Sequence, residues 1–328
     1  MGEARQHHFV SQCYLKGFTR DGNKDTAFCA LDVKSGRVFF PKPAAVAKER
    51  DFNFIEGLPA GELERRLSGF EGRVAQALEL IVTERSLINE DAHLHLLNFA
   101  ALLAVRNPRN REMMNRSLLH SYRVILDLAL SSREMWESHF ERAKAAGYME
   151  GLPELSYEQI KQANQKNPIV EVKDSITAHI RREFEIFDEI LPFFVARRWL
   201  LCLAGPQSEG FITCDHPVGL MWNDQVPRAV RPPPGYQHKN ATVLFPVSRE
   251  MLAVGTFEGD NGVRTLSTFQ VAYFNGLICA HAQRHIYAAD AGFSVLVGNN
   301  AQPISSDELA RFVTERRAIQ TALVSETL

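Results

Sequence analysis

The sequence predicts an α+β protein: an N-terminal β-hairpin, a central helical bundle, and a C-terminal, mostly antiparallel sheet accompanied by helices. Three observations carry this expectation. Two short apolar runs flank a glycine-containing turn between Thr26 and Phe40. Apolar residues then recur at three- and four-residue spacing from Leu63 onward. Beyond residue 193 the chain reads mostly as short apolar strands. The regions are residues 1–56, 57–192 and 193–328, expected to form one compact unit.

In the first region, Ala27 to Leu31 and Arg37 to Phe40 are the hairpin strands, joined through Lys34-Ser35-Gly36. Pro41 and Pro43 end the second strand, because proline donates no ladder hydrogen bond. In the second region, Leu63, Leu67, Phe70, Val74, Leu78 and Ile81 form one apolar stripe of an amphipathic helix. Asn89 is the expected N-cap of the next helix, with Glu90 and Asp91 in the first turn, where the helix dipole favours anions. That helix is apolar on most sides up to Val105, which predicts burial on most sides, and Pro108 ends or kinks it. Further helices are expected at residues 110–146, 156–165 and 170–190. In the third region the expected strands are Phe194–Ala204, Gly210–Cys214, Ala241–Val247 and Met251–Phe257, with a last one at Ser294–Val297. Val226 to Gly235 reads as a proline-rich loop, and Thr268 to Ala288 has helical spacing. Ser305 and Glu308 form a capping box for a C-terminal helix.

Composition narrows the function classes. A net charge of −2 gives no global electrostatic case for nucleic-acid binding and leaves only a local basic patch, such as the Arg106 to Arg123 stretch. Five widely spaced cysteines without a CxxC fit reduced thiols rather than a disulfide framework or zinc ribbon, which points to the cytoplasm. The segment Met1 to Val10 lacks the apolar centre of a secretory leader. No apolar run reaches the roughly 18 residues needed to span a bilayer, so no membrane association is expected. The dinucleotide, P-loop and nucleophile-elbow signatures are all missing.

The candidate residues lie in two distant segments and the helices between them. His7, His8 and Gln12 sit among Phe9, Val10, Tyr14, Leu15 and Phe18, an N-terminal stretch apolar enough to be tied down. Histidine titrates near neutrality and serves as acid, base or ligand. Asp215 follows the apolar strand Gly210–Cys214, a rigid position from which to present a carboxylate. The competing reading is an aspartate that hydrogen-bonds its own turn before Pro217. Arg106, at the end of the apolar helix, needs an anion if it is buried, and Glu71 on the preceding helix is the candidate partner. His281 and His285 are four apart on the expected helix but lack the HExxH pattern, so core or surface roles are favoured.

Several segments together resemble an uncharacterised bacterial family, the domain of unknown function DUF4238. The family pattern His-x-Val-Pro-Gln-x-Tyr-Leu reads here His8-Phe9-Val10-Ser11-Gln12-Cys13-Tyr14-Leu15. Asp51-Phe52-Asn53-Phe54, Phe70-Glu71, Arg106-Asn107-Pro108, Ile212-Thr213-Cys214-Asp215-His216-Pro217-Val218, Phe245-Pro246-Val247-Ser248 and Asn275 follow in the family's order. The chain departs at Ser11, Cys214 and His216, where the family carries Pro, Ser and Asn. The resemblance implies a shared site of His8, Gln12, Glu71, Arg106 and Asp215, and it supplies no activity.

The inventory of these residues predicts a hydrolase acting on nucleic acid or a nucleotide. His8 is the expected general acid or base, and Glu71 and Asp215 a base or a pair for a divalent metal ion. Arg106 is expected to stabilise phosphate charge, and Gln12 to orient substrate or water. The alternative is a non-catalytic binding or regulatory protein in which the same residues form a structural polar network. A catalytic site is a cleft of converging, under-satisfied groups, whereas a structural network is dry and paired.

Overall fold

The chain is an α+β protein. Its structure, a computed structural model, describes residues 6–59, 61–150, 156–166, 174–223, 232–297 and 302–325. In order, the elements are β1 (Gln6–His8), α1 (Gln12–Leu15), β2 (Cys29–Asp32), β3 (Val38–Phe39), β4 (Lys48–Arg50), α2 (Glu62–Glu84) and α3 (Glu90–Val105). Next come α4 (Pro108–Ala129), α5 (Arg133–Ala145), α6 (Tyr157–Lys166), α7 (Ile176–Val195), β5 (Arg198–Ala204), β6 (Thr213–Cys214) and β7 (Gly219–Trp222). The last are β8 (Ala241–Ser248), β9 (Met251–Thr256), β10 (Gly262–Leu266), α8 (Thr268–Cys279), β11 (His285–Ala288), β12 (Ser294–Val295), β13 (Ile304–Ser305) and α9 (Ser306–Ser325). Met1–Pro108 and Ile176–Leu328 make one compact unit, and Arg109–Ser175 makes a second.

The second unit is helical. The expected helix at 110–146 is interrupted after Ala129, and α5 restarts at Arg133 because Ser132 accepts a hydrogen bond from Met135 N at 3.1 Å. Tyr157 donates its hydroxyl hydrogen to the Leu130 carbonyl at 3.0 Å, tying α6 to that turn.

The first unit holds the sheets. The hairpin forms as expected, with Ala30 opposite Phe39 and Leu31 opposite Val38. Gly36 makes the turn at a φ of 71°, a left-handed conformation that glycine adopts without strain. This hairpin continues through β11 to β6 as a four-stranded sheet. A five-stranded sheet runs β10-β5-β9-β8-β7, and only its β10–β5 pair is parallel. The expected helix over Thr268–Ala288 ends at Cys279, and His285–Ala288 is a strand paired with β2. His281 and His285 therefore do not share a helix face. Ser267 and Gln270 close a capping box that starts α8. The expected box at Ser305 and Glu308 forms too, with Glu308 N donating to Ser305 Oγ at 3.3 Å. Most of the expected 226–235 loop lies outside the described residues. Among the described residues no helix is long and apolar enough to cross a membrane.

Helix α3 is the spine of the core. Asn89 caps it, accepting from Ala92 N at 2.9 Å, and every residue from Phe99 to Val105 is buried. Pro108 does not kink this helix. The helix ends at Val105, and proline opens α4, where its missing N–H costs nothing. The N-terminal segment packs against this spine through Tyr14, whose ring stacks on Phe245 at 5.4 Å and touches Phe18 and Phe99. The Tyr14 hydroxyl donates to the Pro246 carbonyl at 2.8 Å and pairs with Thr213 Oγ1 at 2.7 Å. One side chain thus joins the N-terminal segment to the four-stranded and the five-stranded sheets.

His93 of α3 packs edge-on against Trp199 with ring centroids 6.4 Å apart. Burial holds its imidazole below the ordinary value of 6.5. Such a ring binds protons more readily in the unfolded chain than in the folded one. Its contribution to stability is complete above pH 6.5 and is lost as pH falls below that value. His8 and His285 are lowered in the same direction, burial again being the first cause. The melting temperature is expected to fall between about pH 7 and about pH 5, and His93→Leu to flatten that fall. A pH profile of thermal unfolding that is identical for wild type and variant contradicts this.

Candidate functional site

The site begins with the β1–β4 ribbon, in which His7 pairs with Glu49 and His8 with Lys48. Alternation along β1 sends the two histidines to opposite faces. His7 is buried, and its Nδ1 accepts the Asn53 backbone N–H at 3.2 Å. His8 faces a cavity of about 340 Å3, lined also by Ser11, Gln12, Cys13, Lys16, Lys24, Glu64 and Glu71. Ser11, Gln12, Cys13 and Lys16 reach it because α1 begins beside the ribbon. Glu64 and Glu71 reach it because they stand two turns apart, about 10 Å, on one face of α2.

Two groups in this cavity are moved in opposite directions. Burial is the main cause of the lowered His8 imidazole, with Lys48 adding to it, while the Ala44 and Pro43 carbonyls work against it. His8 Nε2 is buried and makes no hydrogen bond. Burial likewise raises the Glu71 carboxyl above 4.5; Glu64 adds to this, and the Ser11 hydrogen bond and the Arg106 charge oppose it. Desolvation thus favours the neutral form of the ring and the protonated form of the acid within one cavity. Cys13 is a poor nucleophile, because burial raises its thiol.

Arg106 does not line the cavity. It caps the C-terminal end of α3 and is 6% exposed. Its Nη2 donates to Asn53 Oδ1, and its Nε lies 3.5 Å from Glu183 Oε2 on α7. The Asn53 amide in turn donates to Glu64. The expected direct role of Glu71 as the anion for Arg106 is thus filled by Glu183, which is 0% exposed, although the Arg106 charge still acts on Glu71. Asn53 is the hub that sequence reasoning missed: it joins His7, Glu64 and Arg106. Its signal lies in the family-like segment Asp51-Phe52-Asn53-Phe54.

Asp215 is placed elsewhere. It follows β6, is 4% exposed, and accepts the backbone N–H groups of Gln283, Arg284 and His285 at 3.0 to 3.3 Å. That arrangement pins the turn between α8 and β11 to the end of β6. Arg284 then reaches Glu49 of β4 and lies over the Phe9 ring. Asp215 therefore stands behind the N-terminal segment as a clamp and is not a wall of the cavity. Asp215→Ala is expected to cost about 2–4 kcal/mol of stability, because three part-buried donors lose a charged, buried acceptor. Urea unfolding measures it, and a loss below about 1 kcal/mol contradicts the clamp. Asn275 has a similar task, accepting from Ile212 N and donating to the Gly210 and Ser294 carbonyls, each at 3.1 Å.

Among the described residues, no group of three or more His, Cys, Asp or Glu side chains is positioned to hold a metal ion. Asp215 is not in the lining of the cavity that Glu71 lines.

A family model described as "Protein of unknown function (DUF4238)" matches residues 6–292. No curated protein and no solved structure matches the chain. The matched span contains the whole cavity wall, the Asn53 hub and the Asp215 clamp. On that coverage, the chain belongs to the DUF4238 family.

Proposed function

We propose that this protein is a hydrolase acting on a phosphate ester of the nucleotide or nucleic-acid class. His8 is its general base and Glu71 its general acid. One observation carries the reading: these two groups line one polar cavity, and burial shifts the first toward its neutral form and the second toward its protonated form. A neutral His8 accepts a proton from water as the water attacks phosphorus. A protonated Glu71 delivers its proton to the departing oxygen. Gln12 offers an amide to orient the water or an ester oxygen, and Lys16 and Lys24 supply positive charge for the phosphate. Arg106 is a positioning residue, holding Asn53 and, through it, Glu64. Free thiols at Cys13, Cys29, Cys202, Cys214 and Cys279 fit a cytoplasmic setting.

The second reading, a binding or regulatory protein built on a structural polar network, is favoured by the Asn53–Arg106–Glu183 half of the cluster, which is buried and paired. A substrate panel separates the two. Aryl phosphate mono- and diesters, nucleoside triphosphates, and single-stranded DNA and RNA are incubated with wild type and with His8→Ala. The hydrolase reading expects one class to be turned over by wild type and not by the variant. Absence of turnover throughout, with a lowered melting temperature in His8→Ala, supports the structural network instead.

A further inference from the structure

Glu64 is the acid of the His8 cavity to which the proposed reaction gives no task. It is nevertheless held in place. Its carboxylate accepts from the Asn53 side-chain amide. The Asn53 Oδ1 accepts from Arg106, and the Asn53 backbone N–H donates to His7 Nδ1 at 3.2 Å. Asn53, Arg106 and His7 are all buried, so the amide points at Glu64 whether or not a ligand is bound. An acid on an exposed helix face needs no such support to be tolerated. A rigid helix with buried hydrogen bonds behind the side chain is the arrangement that aims a recognition group. The Glu64 charge acts on both His8 and Glu71, which places it on the space that those two share.

The chemistry of a carboxylate in such a cavity restricts what it can face. Phosphate oxygens and carboxylate oxygens carry the same sign and both accept hydrogen bonds, so Glu64 is not a phosphate ligand. Asn53 takes one of the roughly four acceptor positions of the carboxylate, and the others call for donors. In a phosphate ester the donors beside the phosphate are sugar hydroxyls. Acidic side chains hold a ribose hydroxyl in this way in dinucleotide-binding folds. The rest of the lining fits a sugar and not a base. Ser11, Gln12, Cys13, Lys16, Lys24 and Glu71 offer neither an aliphatic wall nor a phenyl face. Bases are held by stacking on aromatic side chains or between apolar ones.

We propose that Glu64 is the specificity-determining residue of this site, accepting the 2′-hydroxyl of a ribose phosphate whose base stays outside the cavity. The substrate class is then a ribonucleotide ester, selected over its deoxy counterpart and without regard to the base. Arg106 and Asn53 serve this selection by fixing the carboxylate. The inference rests on the hydrolase reading in taking a phosphate ester as the ligand, and it is read by binding, which needs no turnover.

The probes are adenosine and uridine 5′-monophosphate, their 2′-deoxy counterparts and inorganic phosphate, each titrated calorimetrically into the full chain. Wild type is expected to bind each ribonucleotide about tenfold more tightly than its deoxy form, the scale of one hydrogen bond to a charged group. The two bases are expected to differ by less than about threefold. Glu64→Ala is expected to bring the ribo-to-deoxy ratio to about one and to leave inorganic phosphate as tightly bound as before. Glu64→Gln, which keeps an acceptor oxygen, is expected to retain part of the ratio. Melting temperatures are measured alongside, because a merely structural Glu64 weakens all five probes together. A ratio of one in wild type, a ratio that survives Glu64→Ala, an equal loss of all probes, no probe binding at all, or a base preference beyond about tenfold overturns the proposal. A ratio present without turnover of any ester overturns hydrolysis and upholds the ribose site. Turnover with a ratio of one does the reverse.

Discussion

Arg106→Met is expected to lower the free energy of unfolding by about 3–5 kcal/mol, the scale of breaking a buried ion pair from one side. The reason lies in what the guanidinium faces. Glu183 is fully buried on α7, with its Oε2 3.5 Å from Arg106 Nε. Methionine keeps the volume and removes the charge, so a carboxylate in a dry setting loses a counter-ion. Asn53 Oδ1 loses its donor at the same time, and the link from Asn53 to Glu64 loosens. Replacing both members, Arg106→Met with Glu183→Leu, is expected to restore much of the loss, because paired burial of charge is costly to begin with. Denaturant unfolding of the two single variants and the double variant measures the coupling. A single-variant cost below about 1 kcal/mol contradicts the assignment of Arg106 to this pair.

The second large effect is expected at the cavity itself. Glu71→Gln and His8→Ala are each expected to reduce turnover by about 10²- to 10⁴-fold, the range supplied by a positioned general acid or base. Glutamine keeps the shape of Glu71 and cannot give up a proton. Neither change is expected to destabilise strongly, because both side chains line a cavity and the bulk of the core is untouched. The pH dependence follows from the two shifts. The rate rises with pH as His8 loses its proton, at a value below 6.5. It falls as Glu71 loses its own, at a value above 4.5. The ascending limb is therefore assigned to His8 and the descending limb to Glu71, and Glu71→Gln removes the descending limb.

How far the sequence determined these features varies by element. Helix α3 was readable because its cap, dipole charges and apolar run all agree, and the hairpin because Gly36 marks the turn. The end of α8 was not readable. Apolar spacing continues past Cys279, and only pairing with β2 turns His285–Ala288 into a strand. The short strand β7 and the exposed edge strand β10 carry too little apolar pattern to stand out.

The same division holds at the site. His8, Gln12 and Glu71 line one cavity because β1, α1 and α2 are local and strongly patterned. The partner of Arg106 is not legible in the sequence, because Glu183 sits on α7, whose placement against α3 is a tertiary fact without a local signal. Asp215 obeyed the ordinary chemistry of an aspartate at a turn, except that the N–H groups it binds belong to residues 283–285 rather than to its own turn. An asparagine between two phenylalanines gives no sign in the sequence that three polar partners meet at Asn53.

The most direct test of the central claim is a paired measurement on His8→Ala: turnover of a phosphate ester and melting temperature, on the same preparation. The cavity assignment predicts that wild type turns the ester over, that the variant does so at least about 10²-fold more slowly, and that the two melt together. Equal turnover in both proteins, no turnover in wild type, or a loss that follows a drop in melting temperature contradicts it.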